Sequence, residues 1–115
     1  MIEKLKLGLH KLVQDELDMA SKDHGARFHS DHEAAAVLYE ELEEVKECVD
    51  VIEDLMLLLW HGHVRKDKKP DEYELAGLEK AAINGAAELV QVAAMARKWM
   101  VSSGAVRSDA ENKLP

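Results

Sequence analysis

An apolar stripe with helical spacing constrains this sequence more than any other feature. From Leu38 onward, apolar residues recur at alternating steps of four and three, the spacing of one face of an α-helix that packs along another helix. Such a face must be covered by other helices, so the stripe predicts an all-α fold. Its members are Leu38, Leu42, Val45, Val49, Ile52, Met56 and Leu59.

Capping signals and breaks in the apolar pattern predict three helices, over about residues 2–21, 30–62 and 71–102. The second opens with a capping box, in which Ser30 caps the helix and Glu33 reaches back. The prediction is therefore an N-terminal helix followed by an antiparallel helical hairpin. The third helix carries small residues that let a neighbouring helix approach closely: Ala81, Ala82, Gly85, Ala86, Ala93 and Ala96.

The length of 115 residues supports one compact domain, which we place at residues 1–103. Residues 104–115 are polar and aperiodic, so we expect a flexible C-terminal tail. Three helices of this length expose more apolar surface than one small chain covers. We therefore expect a homo-oligomer, a dimer or tetramer, in which the hairpins assemble into a four-helix type of bundle.

The charge balance disfavours one class of partner, and the distribution of apolar residues disfavours another. The chain has 23 Asp and Glu against 15 Lys and Arg, a net charge of −8, which disfavours nucleic-acid binding. The longest apolar run, residues 55–60, is too short to cross a membrane, and the N-terminus has no signal-peptide pattern. A single cysteine, Cys48, indicates a reducing compartment. We expect a cytoplasmic protein with neither nucleic acid nor membrane as partner.

Most acids of the second helix lie opposite the apolar stripe, and two do not. At about 100° per residue from Leu38, Glu41 falls near −60°, inside the stripe, and Glu44 near −120°, at its edge. On the third helix Glu88 also turns toward the packed side. The acids expected on the surface of the second helix are Glu40, Glu43, Glu47 and Asp54.

Inward carboxylates are costly unless they are paired, and two explanations stay open at this point. In the first, Lys46, Arg97 or a lysine of the first helix neutralises them. In the second, they bind a divalent metal such as Mg²⁺, which prefers carboxylate oxygens and phosphates. The histidine pairs at helix ends, His29 with His32 and His61 with His63, are interpreted as surface or capping residues rather than zinc ligands.

Two blocks resemble a known family. Residues 27–33, RFHSDHE, followed by AVLYEELEEV at 36–45, resemble the phage and prophage branch of the MazG-like all-α nucleotide pyrophosphohydrolases. That branch shows a Phe, a Ser, His-Glu and then an apolar turn leading into a Glu-Glu-x-x-Glu helix. Its second signature is similar to ELVQVAAMA at 88–96. The resemblance covers about residues 27–100.

The resemblance implies bundles of antiparallel helices from two or more subunits. It further implies that Glu41, Glu44 and Glu88 are the catalytic and metal-binding residues, which hold Mg²⁺, or Mn²⁺, against a nucleoside triphosphate. The implied reaction is hydrolysis to the monophosphate and pyrophosphate.

Three further residues are candidates for substrate binding. Arg27 precedes the capped helix start and is a candidate for phosphate contact, or is simply a loop cation. Asn84 and Gln91 flank Glu88 and either contact the sugar or base or satisfy one another. Gln91 stands where the family pattern has Asp, and its neutral amide supplies no charge. The alternative is therefore a weakened or inactive MazG-like bundle that acts as an oligomerisation or binding module.

Overall fold

A computed structural model describes residues 1–104 as three α-helices, with no strand in that part of the chain. Helix α1 spans Ile2–His24, α2 spans Asp31–Gly62 and α3 spans Glu72–Ser103. A single 3-10 turn, Val64–Lys66, lies between α2 and α3. The predicted all-α class is confirmed. Of the tail predicted at 104–115, residues 105–115 lie outside the described residues.

The caps predicted at the helix starts are present. The Ser30 hydroxyl accepts a hydrogen bond from the Glu33 N–H at 3.1 Å, and the Glu33 carboxylate accepts one from the His29 N–H at 3.2 Å. Glu33 thus reaches one residue further back than in the usual capping box. Oδ1 of Asp71 accepts from the N–H groups of Tyr73 and Glu74, at 2.8 Å and 3.2 Å. These side chains satisfy backbone donors that the first turns of α2 and α3 leave unpaired.

The chain divides into two compact units, and both long helices contribute to each. The first unit comprises residues 1–41 and the described residues from 90 onward, and the second comprises residues 42–89. The single domain expected over residues 1–103 stays a prediction.

The core of the first unit draws on all three helices and on the connection between α1 and α2. Ala34 and Ala94 have no exposed surface, which means that the neighbouring elements pack directly against their methyl groups. The buried members of this cluster are Val13, Leu17, Phe28, Ala34, Ala94 and Met95.

The connection between α1 and α2 is tied to the last turns of α3. Arg27 donates a hydrogen bond to the Val101 carbonyl at 3.0 Å, and the Phe28 N–H donates to the Ser102 hydroxyl at 2.7 Å. That hydroxyl in turn donates to the Lys98 carbonyl at 2.8 Å. The Lys98 ammonium is buried and lies 4.4 Å from the centre of the Phe28 ring, where a cation–π interaction compensates part of its desolvation.

The second unit is a hairpin formed by parts of α2 and α3, which approach each other closely at two glycines. A Cβ atom added to Gly85 would lie 3.3 Å from Cβ of Cys48, and one added to Gly77 would lie 3.3 Å from a methyl group of Leu55. Both contacts are tighter than ordinary van der Waals distances. The packing role predicted for the small residues of α3 is confirmed at Gly85, and Ala81 is also buried. It is wrong for Ala82, Ala86 and Ala93, which are exposed.

The apolar stripe of α2 is only partly covered within the chain. Val45 and Leu59 are buried, whereas Leu42, Val49 and Met56 are 39%, 42% and 51% exposed. Among the described residues, no helix combines the length and apolar character needed to cross a membrane.

The buried methyl of Ala94 leads to a stability prediction. Because the core around it has no free space, Ala94→Leu should force neighbouring side chains from their preferred rotamers and lower the free energy of unfolding by about 1–3 kcal/mol. Urea denaturation followed by circular dichroism would measure this loss. Ala86→Leu, on an exposed position of α3, is the matched control and should change it by less than about 0.5 kcal/mol.

Candidate functional site

Within the second unit, α2 and α3 bring two glutamates side by side. Glu44 and Glu88 offer carboxylate oxygens within 4.8 Å of each other. Their positions follow from the close contact at Gly85. Glu88 lies about one turn after Gly85 on α3, and Glu44 lies about one turn before Cys48 on the antiparallel α2.

This proximity raises the pKa of Glu44 above the ordinary value for a glutamate. The largest cause is the hydrogen bond with Glu88, followed by repulsion from the Glu88 charge and a contribution from burial. Glu44 therefore retains its proton more readily than an isolated glutamate does.

Glu41 lies one turn before Glu44 on the uninterrupted α2 helix. Glu41 is the last residue of the first unit, whereas Glu44 and Glu88 belong to the second. Glu41 and Glu88 are half-buried, as expected for side chains turned toward the packed side. Glu44, which the helical geometry had also turned inward at the edge of the stripe, is exposed. The acids expected on the surface, Glu40, Glu43, Glu47 and Asp54, are all exposed.

The two named cations that could have neutralised these acids have other partners. The Lys46 ammonium lies 3.7 Å from the Glu43 carboxylate, an exposed pair one turn apart on α2. Arg97 donates a hydrogen bond to the side chain of Gln14 at 3.0 Å. Lys46 and Arg97 are thus engaged elsewhere, and both explanations left open by the sequence remain predictions.

The three predicted substrate-binding residues occupy different environments. Asn84 is exposed, about one turn before Glu88 on α3. Gln91, about one turn after Glu88, is half-buried, and its amide donates a hydrogen bond to Glu16 at 2.7 Å. Arg27 donates to the Val101 carbonyl near the C-terminal end of α3, so the structure does not gather it with the glutamates.

Glu16, the partner of Gln91 in the first unit, is a residue that the sequence did not indicate. It lies on α1 and is half-buried, and it holds the amide of Gln91 across 75 positions of sequence. A helical projection places each side chain on a face of its own helix and carries no information about a partner so distant in sequence. The polar residues on the same face of α1 were the only available signal.

The chain matches no protein-family model, no curated protein and no solved structure. The chemistry of the site is therefore inferred from its own residues. The carboxylates of Glu44 and Glu88 provide an oxygen-only set of ligands within the second unit. Such a set can bind a hard divalent cation and accept a proton from water.

The raised pKa of Glu44 predicts a pH-dependent stability. Because the folded state binds this proton more tightly than the unfolded chain, its stability falls as the pH rises from the ordinary glutamate pKa through the raised folded value. Glu44→Gln removes the titrating carboxyl group, and with it this loss of stability at higher pH. The melting temperature of the variant should therefore exceed that of the wild type at pH 7 in the absence of divalent cations, and the difference should shrink toward pH 4.

Thermal unfolding followed by circular dichroism between pH 4 and pH 8 would measure this effect. Glu47→Gln is the matched control, since Glu47 is exposed on the same helix, and it should follow the wild-type curve. Addition of Mg²⁺ at constant ionic strength should stabilise the wild type at pH 7 and have a smaller effect on Glu44→Gln. If the melting temperatures of the wild type, Glu44→Gln and Glu47→Gln all change with pH in the same way, the raised pKa of Glu44 does not affect stability and the interpretation is contradicted.

Proposed function

We propose that this protein is a Mg²⁺-dependent nucleotide pyrophosphohydrolase, with Mn²⁺ as a substitute ion, that converts a nucleoside triphosphate to the monophosphate and pyrophosphate. The observation that carries the proposal is the pair of carboxylates that Glu44 on α2 and Glu88 on α3 bring together within the second unit. The resemblance of residues 27–100 to the MazG-like family supports the same activity.

The residues present fit the ion. Glu41, Glu44 and Glu88 would supply oxygen ligands alone, which suits Mg²⁺, and the raised pKa of Glu44 marks a place where positive charge is favoured. When bound, Mg²⁺ would supply the positive charge that offsets negative charge developing on the phosphates.

The glutamates also provide a proton acceptor for hydrolysis. One carboxylate accepts a proton from water as the water oxygen forms a bond to the α-phosphorus. The bond between the α-phosphorus and the bridging oxygen breaks, and the electron pair leaves with pyrophosphate. The monophosphate carries the oxygen that came from water, and the proton of that water remains on the carboxylate.

The substrate-binding roles of the remaining residues are part of the proposal. Asn84 is exposed near Glu88 and is free of the packing that holds Gln91, so it is the better candidate for contact with sugar or base. Arg27 would have to exchange its hydrogen bond to the Val101 carbonyl for one to phosphate.

A second function, a noncatalytic binding module, is favoured by one observation. Gln91 occupies the position where the family pattern has Asp, and its amide is held by Glu16. The Gln91 amide is neutral and already hydrogen-bonded, so it adds no negative charge for binding a cation. In this alternative the glutamates bind a cation weakly, and the helices serve for assembly.

Self-association into a helical bundle in the cytoplasm is part of both proposals. It is supported by the apolar side chains that remain exposed along α2, at Leu42, Val49 and Met56. Burying such a stripe against a second copy would remove apolar surface from water, which favours association.

The glutamates provide the test of catalysis. Glu41→Gln should reduce pyrophosphate release by about 10²-fold or more, because it removes a charged ligand or proton acceptor. The substrate for this comparison is a nucleoside triphosphate that the wild type hydrolyses. The measurement is a coupled pyrophosphate assay over a panel of ribo- and deoxynucleotides with Mg²⁺ or Mn²⁺. Glu40→Gln, at the exposed neighbouring position, should leave the rate within about twofold.

The same assay separates the two functions. Equal losses from Glu41→Gln and Glu40→Gln would contradict the assignment of the site residues. If the wild type releases no pyrophosphate from any substrate, catalysis is excluded. Calorimetric binding of Mg²⁺ that Glu88→Gln abolishes would then support the binding module.

The exposed stripe leads to a separate prediction about assembly. Met56→Glu should shift the protein toward the monomer in sedimentation-velocity experiments, since a carboxylate would be desolvated at the expected interface. Met19→Glu, an equally drastic change at an exposed position of α1, is the control and should leave the sedimentation coefficient unchanged. A wild type that sediments as a monomer at all concentrations would refute self-association.

A further inference from the structure

We infer a second metal site, for a first-row transition ion such as Zn²⁺, where α2 ends and α3 begins. His63, Asp71 and Glu74 each offer one ligand atom there, and these atoms lie within 4.8 Å of one another. All three residues are half-buried and all belong to the second unit. Their chemistry differs from that of the glutamates described above, because one ligand is an imidazole.

The connection between the helices is ordered in a way that brings these side chains together. The carbonyl of His63 accepts hydrogen bonds from the N–H groups of Lys66 and Lys68, at 3.0 Å and 2.9 Å. Asp67 adopts the left-handed conformation, with φ of 55°, which asparagine and aspartate tolerate better than most residues. The chain thereby turns back directly after α2 and enters α3 at Asp71.

A buried oxygen of Glu74 provides independent evidence for a missing partner. Oε2 of Glu74 is buried and accepts no hydrogen bond within residues 1–104. Nε2 of His63 lies 3.4 Å away, close enough to form an ion pair with this oxygen when the imidazole is protonated. With a neutral imidazole the buried carboxylate oxygen has no partner, which is costly, and a cation between the two atoms would satisfy both.

Asp71 is held in an orientation suited to a ligand. Its Oδ1 accepts hydrogen bonds from the N–H groups of Tyr73 and Glu74, at 2.8 Å and 3.2 Å, and these bonds fix the carboxylate plane. A carboxylate can accept at both oxygens, so capping the helix leaves capacity for an ion. Hydrogen bonds of this kind orient ligands in known metal sites.

The ligand set indicates which ion would bind. Imidazole favours Zn²⁺ and the neighbouring transition ions, whereas Mg²⁺ and Ca²⁺ prefer oxygen alone. One histidine and two carboxylates give three protein ligands and leave a position for water. An ion bound here would link the end of α2 to the first turn of α3 and stabilise the hairpin.

Titration of the whole protein with Zn²⁺ tests the inference. We expect a site occupied by one ion per chain in isothermal titration calorimetry, and Co²⁺ as a spectroscopic probe should give visible absorption bands of an imidazole-ligated ion. His63→Gln and Glu74→Gln should each weaken Zn²⁺ binding by about tenfold or more. Asp71→Asn keeps a capping side chain and should also weaken it.

Two control variants identify the site. His61→Gln, at an exposed residue of the same helix end, should bind Zn²⁺ as the wild type does. Glu44→Gln should do the same, which separates this site from the glutamates. Circular dichroism would confirm that each variant is folded.

Several results would overturn the inference. They are the absence of Zn²⁺ binding at micromolar concentrations, equal losses from His63→Gln and His61→Gln, and a loss from Glu44→Gln that exceeds the loss from His63→Gln. Removal of Zn²⁺ by a chelator should lower the melting temperature of the wild type and leave that of Glu74→Gln unchanged. A wild type whose melting temperature does not respond to Zn²⁺ or chelator would count against the site as well.

Discussion

The close contact of α2 with α3 in the second unit determines the geometry on which the candidate site depends. At Gly85 the facing atom, Cβ of Cys48, lies where any added side chain would press against it. This contact fixes how the antiparallel helices are aligned along their length, and one turn further the alignment sets Glu88 beside Glu44. The repulsion between the two carboxylates, and hence the raised pKa of Glu44, is a consequence of backbone packing.

Much of this arrangement could be predicted from the sequence because it is local to single helices. The spacing of apolar residues and the capping side chain of Ser30 predicted the helices. The half-buried position of Glu41 follows from its angle around α2, whereas Glu44 is more exposed than its angle indicated. The proximity of Glu44 to Glu88 could not be predicted in this way, since it depends on the alignment of two helices.

Other features depend on contacts between residues far apart in the chain. The Gln91 amide binds Glu16 on α1, and the Lys98 ammonium is buried over the Phe28 ring. His63 was interpreted as a surface or capping residue because no cysteine or paired ligand lies near it in sequence. Its contact with the Glu74 carboxylate arises from the turn between α2 and α3, which helical periodicity does not describe.

The hydrogen bonds at the end of α3 have a consequence for shortened or fused versions of the protein. Ser102 accepts from the Phe28 N–H and donates to the Lys98 carbonyl, so the entry to α2 is secured by one of the last residues of α3. A truncation that stops before Ser102 would leave the Phe28 amide unpaired and loosen the beginning of the glutamate-bearing helix. A shortened or fused version therefore has to retain Ser102 if the Phe28 amide is to keep its partner.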